Sequence, residues 1–256
     1  MASDNNRVSF LNFPIDSLTS EHVIDKCLSW CRGDRCSHTI ITVNAAIMTM
    51  MRKDKQLHAA CAAGDLILAD GMSVIWASRL AATPLLERVT GIDLVDSLLD
   101  KASQSQMKVF FLGAREPVVS KLVEICREKH PGLIVAGYRN GYFKDEQHAE
   151  IVRQIRASKA DMLFVGMPSP FKEVWCEKYR DELHVPLIMG VGGSFDVLAG
   201  FVDRAPQWLQ KIGMEWFWRL LMEPGKMWKR YLVTNSVFIR LSVSWIIRQR
   251  LFTSFR

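Results

Sequence analysis

Asp70-Gly71 closes a short apolar run, Asp65-Leu66-Ile67-Leu68-Ala69. A carboxylate at a strand end, followed by a residue without a side chain, can lie beside a ligand with little steric cover. There it can accept the proton of an attacking hydroxyl. An Asp in that place also suits a turn or a helix N-cap. Thr42 and Asn44 end a second run, Thr39-Ile40-Ile41-Thr42-Val43. Alternate residues of a strand point the same way, so the two can hydrogen-bond a sugar hydroxyl or a phosphate together. Capping of the following helix is the other use of the same groups. Gly190-Val191-Gly192-Gly193-Ser194 presents small residues whose backbone N–H groups can cradle an anion, and Gly113-Ala114-Arg115-Glu116-Pro117 is a similar turn with an Arg. Neither is the full dinucleotide fingerprint. The six histidines form no metal-ligand spacing, and there is no D-x-D pair, nucleophile elbow or Walker loop. No metal and no cofactor are expected.

The elements that must hold these residues follow from hydrophobic patterning. Six short runs, at 39–43, 65–69, 108–112, 133–137, 161–166 and 186–191, are continuously apolar rather than alternating. Such runs predict strands covered on both faces. Helical periodicity lies between them at 22–31, 46–62, 91–103, 118–129, 147–159 and 171–183. Strand–helix alternation predicts an α/β fold, a mostly parallel, Rossmann-like sheet flanked by helices. In such sheets ligands gather at the carboxyl ends of strands, where Asn44, Asp70, Gly113, Gly166 and Gly190 stand.

The charge is unevenly placed. The chain carries a formal +6 and a pI near 9.1, yet residues 204–256 alone hold ten Lys/Arg against two Asp/Glu. Five of the eight tryptophans (Trp208, Trp216, Trp218, Trp228 and Trp245) lie there too. Cations beside Trp suit an anionic, half-apolar membrane surface better than a nucleic-acid groove, so no nucleic-acid partner is expected. Segment 231–247 is interrupted by Arg240 and polar residues, which predicts an interfacial helix rather than a spanning one. Residues 1–200 are therefore read as the catalytic core and 201–256 as a basic, Trp-rich helical appendage. The first residues show no charged segment followed by an apolar one, so no signal peptide is expected. Six cysteines without a C-x-x-C pair suit reduced thiols in a cytoplasmic protein. An exposed Trp-rich face off the membrane would favour self-association.

Several motifs occur together and in one order. They are Thr42-Val43-Asn44, Asp70-Gly71, Arg88-Val89-Thr90-Gly91-Ile92-Asp93-Leu94, Phe111-Leu112-Gly113, Gly141-Tyr142-Phe143, Gly190 to Asp196, Arg204-Ala205-Pro206 and Glu215-Trp216-Phe217-Trp218-Arg219. In this the chain resembles the WecG/TagA/CpsF glycosyltransferases over roughly residues 10–235. The resemblance implies an inverting, metal-independent transferase at the cytoplasmic face of the membrane, serving exopolysaccharide or cell-surface glycan synthesis. It would move N-acetylmannosamine, its uronic acid, glucose or glucuronic acid from a UDP-sugar to a polyprenyl-diphosphate-linked saccharide. It implies Asp70 as general base and Thr42 and Asn44 as pocket residues. It places Gly71, Arg88, Gly113, Gly166, Glu173, Gly190, Gly192, Gly193, Asp196 and Arg204 in substrate-binding motifs. The appendage would bring Arg219, Lys226, Lys229 and Arg230 to a diphosphate, a role that cationic side chains suit.

One position departs from the family pattern. Gly166-Met167-Pro168-Ser169-Pro170-Phe171-Lys172-Glu173 has Lys172 where the family has Gln. Lys172 could pair with a carboxylate on the donor sugar, or it could face solvent at a helix start. Two other classes fit parts of the chain. A nucleotide-dependent oxidoreductase would require the missing fingerprint. A non-catalytic membrane adaptor would have no use for Asp70.

Overall fold

The computed structural model describes residues 6–222 and 224–253, without the side chains of 211, 219, 226–227, 229–232 and 250–253. The chain begins with a hairpin, β1 (Arg7–Phe10) and β2 (Phe13–Asp16). Leu11 and Asn12 between them both have positive φ, as a two-residue hairpin turn requires. Arg7 holds Asp16 through two hydrogen bonds of 2.8 and 2.9 Å, and Asp16 in turn accepts the Ile67 N–H at 2.7 Å. The hairpin is thereby fixed to the sheet edge.

The main sheet has six parallel strands: β3 (His38–Val43), β4 (Leu66–Ala69), β5 (Lys108–Gly113), β6 (Ile134–Arg139), β7 (Met162–Gly166) and β8 (Leu187–Gly190), in the order β4-β3-β8-β7-β5-β6. Each continuous apolar run became one of them. The reason is visible in the packing. Ile40, Leu66, Leu68, Val109 and Phe111 face a core shared with α1 (Ser20–Arg32), α5 (Gly91–Gln104) and α6 (Glu116–Lys129). Their neighbours Ile41, Val43, Ile67, Ala69, Phe110 and Leu112 face the opposite side. That side is covered by α2 (Ala45–Met51), α3 (Lys55–Ala62), α7 (His148–Ser158) and α8 (Phe171–Leu183).

The expected helix over 46–62 is two helices. Asp54 accepts the Leu57 N–H at 3.0 Å and caps α3, which restarts the chain after α2. A helix absent from the sequence reading, α4 (Met72–Leu80), follows Asp70-Gly71 directly. After β8 come the short α9 (Ser194–Leu198) and α10 (Gln207–Lys211), then α11 (Glu215–Met222) and the thirty-residue α12 (Pro224–Thr253). α12 packs across α2 and α4, with Phe238 buried in the same core as Phe10, Phe13 and Ile47. No described helix is long and apolar enough to cross a membrane.

Candidate functional site

β3 and β4 end side by side, so Asn44 and Asp70 stand next to each other at the sheet's carboxyl edge. Both line a cavity of about 510 Å3, within the range of small-ligand sites. Its walls come from α4, from the start of α5, and from α11 and α12. The sheet thus supplies Asn44 and Asp70, and α11 and α12 close the chamber over them.

Each side chain there has a local cause. The Asn44 side-chain oxygen accepts the N–H groups of Ala46 and Ile47 at 3.0 and 3.1 Å. Capping of α2 is therefore real, and it leaves the Asn44 amide group as the donor a ligand can use. Asp70 is half-buried. Beside it, a Cβ built on Gly91 would lie 3.7 Å from Asp70 Oδ2, 3.8 Å from Met189 Cε and 3.9 Å from Thr42 Cγ2. These are ordinary van der Waals distances, so α5 starts close to the carboxylate with room for a methyl group at Gly91. Gly71 is tighter, since a Cβ there would sit 3.3 Å from the Asn44 Cβ. Thr42 is buried and does not line the large cavity.

Arg88 reaches the cavity and pairs with Glu215 at 2.7 Å. Thr90 caps α5 and donates to Asp93, which is held by Arg204 at 2.5 Å. Ser194 carries the Gly190–Ser194 loop into the chamber, and its hydroxyl donates to the Val191 carbonyl at 2.9 Å. Asp196 is half-buried on α9. Among the described residues, His, Cys, Asp and Glu nowhere gather in threes to hold a metal ion.

Other expected site residues are placed elsewhere. Gly113 and Gly166 use their missing side chains for packing. A Cβ on Gly113 would meet the Gly166 backbone at 2.5 Å, and one on Gly166 would meet the Phe195 ring at 2.3 Å. Lys172 and Glu173 are buried under β8. The Lys172 ammonium pairs with Glu173 and donates to Ser169 Oγ at 2.9 Å, and Ser169 donates to Glu173 at 2.7 Å. A solvent-facing Lys172 is thereby overturned: the first turn of α8 faces the sheet. The Lys172 stem lies 3.1 Å from where a Gly190 Cβ would be, so Gly190 serves that packing. Gly192 adopts positive φ, and Gly193 has open space around it. Arg219, Lys226, Lys229 and Arg230 belong to α11 and α12, and their side chains lie outside the described residues.

Sequence reasoning missed Glu215, Trp76, Asn235 and Ser242 as lining residues. Trp76 stands on α4, the helix absent from the sequence reading, whereas Glu215, Asn235 and Ser242 reach the cavity because α12, with α11 against it, folds back over α2 and α4.

The family described as "Glycosyl transferase WecG/TagA/CpsF family" matches residues 8–253. A Bacillus spizizenii protein named N-acetylglucosaminyldiphosphoundecaprenol N-acetyl-beta-D-mannosaminyltransferase is 39% identical over 193 residues, covering 75% of this chain and 74% of its own. Proteins of the same name from Bacillus subtilis and Staphylococcus aureus are 32% and 31% identical over 229 residues. These cover 90% and 89% of this chain, and 83% and 88% of their own.

Proposed function

The chain belongs to the WecG/TagA/CpsF glycosyltransferase family, and from that premise we propose that it transfers N-acetylmannosamine from a UDP-sugar to a polyprenyl-diphosphate-linked N-acetylglucosamine. The product would enter exopolysaccharide or cell-surface glycan synthesis at the cytoplasmic face of the membrane. The observation that carries this reading is the shared chamber of Asp70, Asn44 and Arg88 under the appendage.

In the proposed reaction Asp70 takes the proton of the acceptor hydroxyl. The hydroxyl oxygen attacks the anomeric carbon from the face opposite the diphosphate. The carbon–oxygen bond to UDP breaks, and its electron pair leaves on the diphosphate, which inverts the centre. Asn44 orients a sugar group through its amide. Arg88 offers a bidentate partner for the leaving phosphate, joined by the appendage residues Arg219, Lys226, Lys229 and Arg230. With those cations the reaction proceeds without a divalent metal. The names of the relatives favour N-acetylmannosamine, and Lys172 engaged internally with Glu173 favours a neutral donor over a uronic acid.

Residues 201–256 are proposed to dock peripherally on an anionic membrane, as a unit added to a catalytic core of 1–200. Trp208, Ile212, Trp216, Phe217, Leu221 and Trp228 are exposed on the helices that also carry the chain's positive excess, which supports that mode. Off the membrane the same face would favour self-association.

The test is UDP release over a panel of UDP-sugars, with polyprenyl-diphosphate N-acetylglucosamine in anionic vesicles and EDTA present. Acceptor-dependent release with UDP-N-acetylmannosamine is expected. Asp70→Asn should lower kcat by roughly 10²–10⁴-fold while vesicle binding persists. Asp70→Asn with unchanged kcat would remove Asp70 from the base role.

A further inference from the structure

The chamber that holds Asp70 is bounded by two helices that touch but leave apolar surface uncovered. On α4, Trp76 and Leu80 are 45% and 57% exposed; on α12, Ile239 and Val243 are 60% and 49% exposed. All four line the chamber. Each pair is spaced i, i+4, so each forms a stripe along one helix face. Apolar stripes on helices in contact ordinarily bury one another. Here α12 is pinned by Phe238 in the core below, and a cleft stays open between the stripes.

A second observation lies in the same chamber. Ser242, one helical turn past Phe238, is 5% exposed, and its hydroxyl has no hydrogen-bond partner among the described residues. A buried hydroxyl without a partner is costly and marks a place where a ligand's polar group would be accepted.

We infer that the α4–α12 cleft is a binding site for the isoprenoid chain of the acceptor, with the Ser242 hydroxyl meeting the polar head where the chain begins. The inference rests on the lipid-linked acceptor proposed above. Continuity with the reacting centre selects this occupant. A molecule that must present a hydroxyl to Asp70 while tied to a hydrocarbon needs one site with a polar floor and apolar walls. The chamber's lining holds Asp70, Asn44 and Thr90 from the strand ends and the start of α5 together with the four apolar side chains from α4 and α12. A flat bilayer touching those walls would account for the exposed groups but not for their sharing a chamber with the carboxylate.

The experiment compares two water-soluble acceptors with the same sugar diphosphate, one ending in an ethyl group and one in a three-isoprene chain. Full-length protein is used without vesicles or detergent. Wild-type protein should show a KM about tenfold lower for the prenyl acceptor. Leu80→Gln/Val243→Gln should abolish that gain and leave the KM for donor and for the ethyl acceptor within about twofold. Ile239→Gln, a separate exposed position, should act in the same direction. Equal KM values for the two acceptors in wild type, or a chain preference untouched by these variants, would overturn the inference while transfer itself stands. If the double variant instead turns a dimer into a monomer in light scattering with acceptor KM unchanged, the cleft holds a second copy, and the inference also fails. Absence of transfer to either soluble acceptor and to the vesicle-borne one would overturn the functional reading, and this inference with it.

Discussion

Arg88 and Glu215, 127 residues apart in the chain, form a 2.7 Å ion pair in the wall of the chamber that holds Asp70. Their side chains are 16% and 25% exposed, so the attraction is less screened than at an open surface. Glu215 engages one nitrogen of the Arg88 guanidinium, so on the proposed reading it competes with a donor phosphate for that cation. Glu215 comes from α11, the first long helix of the appendage, and Arg88 from the loop that leads into α5. The pair therefore ties α11 to the loop that leads into α5.

Glu215→Gln should free Arg88 and lower the KM for the UDP-sugar by a few-fold, while costing on the order of 1 kcal/mol of stability. Arg88→Gln should raise that KM and lower kcat together, since a leaving diphosphate needs the cation more than the ground state does. The check is donor-saturation kinetics on both variants alongside urea unfolding. A higher donor KM in Glu215→Gln would mean that Glu215 orients Arg88 instead of competing for it.

β3, β4, β5, β7 and β8 were legible because a sheet covered on both faces leaves few polar positions inside a run, while β6 at the sheet edge is only half-buried; α8 keeps its expected bounds because Trp175, Cys176 and Leu183 are all buried. The hairpin was not legible, since two four-residue strands interrupted by Pro14 carry no pattern of their own. α4 was hidden because Val74, Ile75 and Ala77 face the core while Trp76 and Leu80 stay exposed, which blurs the helical period. Asp70, Asn44 and Arg88 line one cavity, a grouping that strand ends and motif made legible. At Gly113 and Gly166 a sequence shows that space is required but not what fills it. Here the fillers are a neighbouring strand end and the Phe195 ring.

That distinction between glycines can be measured. Gly166→Ala places a methyl 2.3 Å from Phe195 Cδ2, so the ring must move, at a cost of about 1–3 kcal/mol. Gly193→Ala meets nothing within 4 Å and has no positive φ to strain it, so stability should hold within about 0.5 kcal/mol. If the Gly190–Ser194 loop receives the donor diphosphate, Gly193→Ala should raise donor KM alone. Thermal unfolding and donor kinetics on both proteins separate the two roles. Equal stability of the two variants would contradict the packing role of Gly166.

The cysteines give a prediction about reactivity. Burial pushes the thiols of Cys31, Cys61, Cys126 and Cys176 up to about 12, and raises Cys27 as well. A thiol held that high carries almost no thiolate at pH 8. Cys36 is exposed, although its hydrogen bond to Asp34 raises it too. Native protein should therefore release colour from one thiol in a disulfide-exchange assay at pH 8, and from six in denaturant. Rapid reaction of two or more in the native state would mean that the sheet core opens readily.

The charges beneath β8 form a buried pair. Lys172 and Glu173 are 5% and 2% exposed, and Glu173 Oε2 has no hydrogen-bond partner among the described residues. An ion pair this deep is weak support for stability, because desolvation offsets most of the attraction. Removing one partner is different, because it strands a buried charge. Lys172→Met should cost about 3–5 kcal/mol. The double variant Lys172→Met/Glu173→Leu should recover most of that loss or exceed wild-type stability. Urea midpoints for the three proteins test the cycle, and a donor panel on the double variant tests the chemistry. Because the pair lines a small void with Thr42 and Gly190 and not the large chamber, donor preference should be unchanged once stability is restored. A double variant as stable as wild type that accepted a different donor sugar would return Lys172 to a role in reading the substrate.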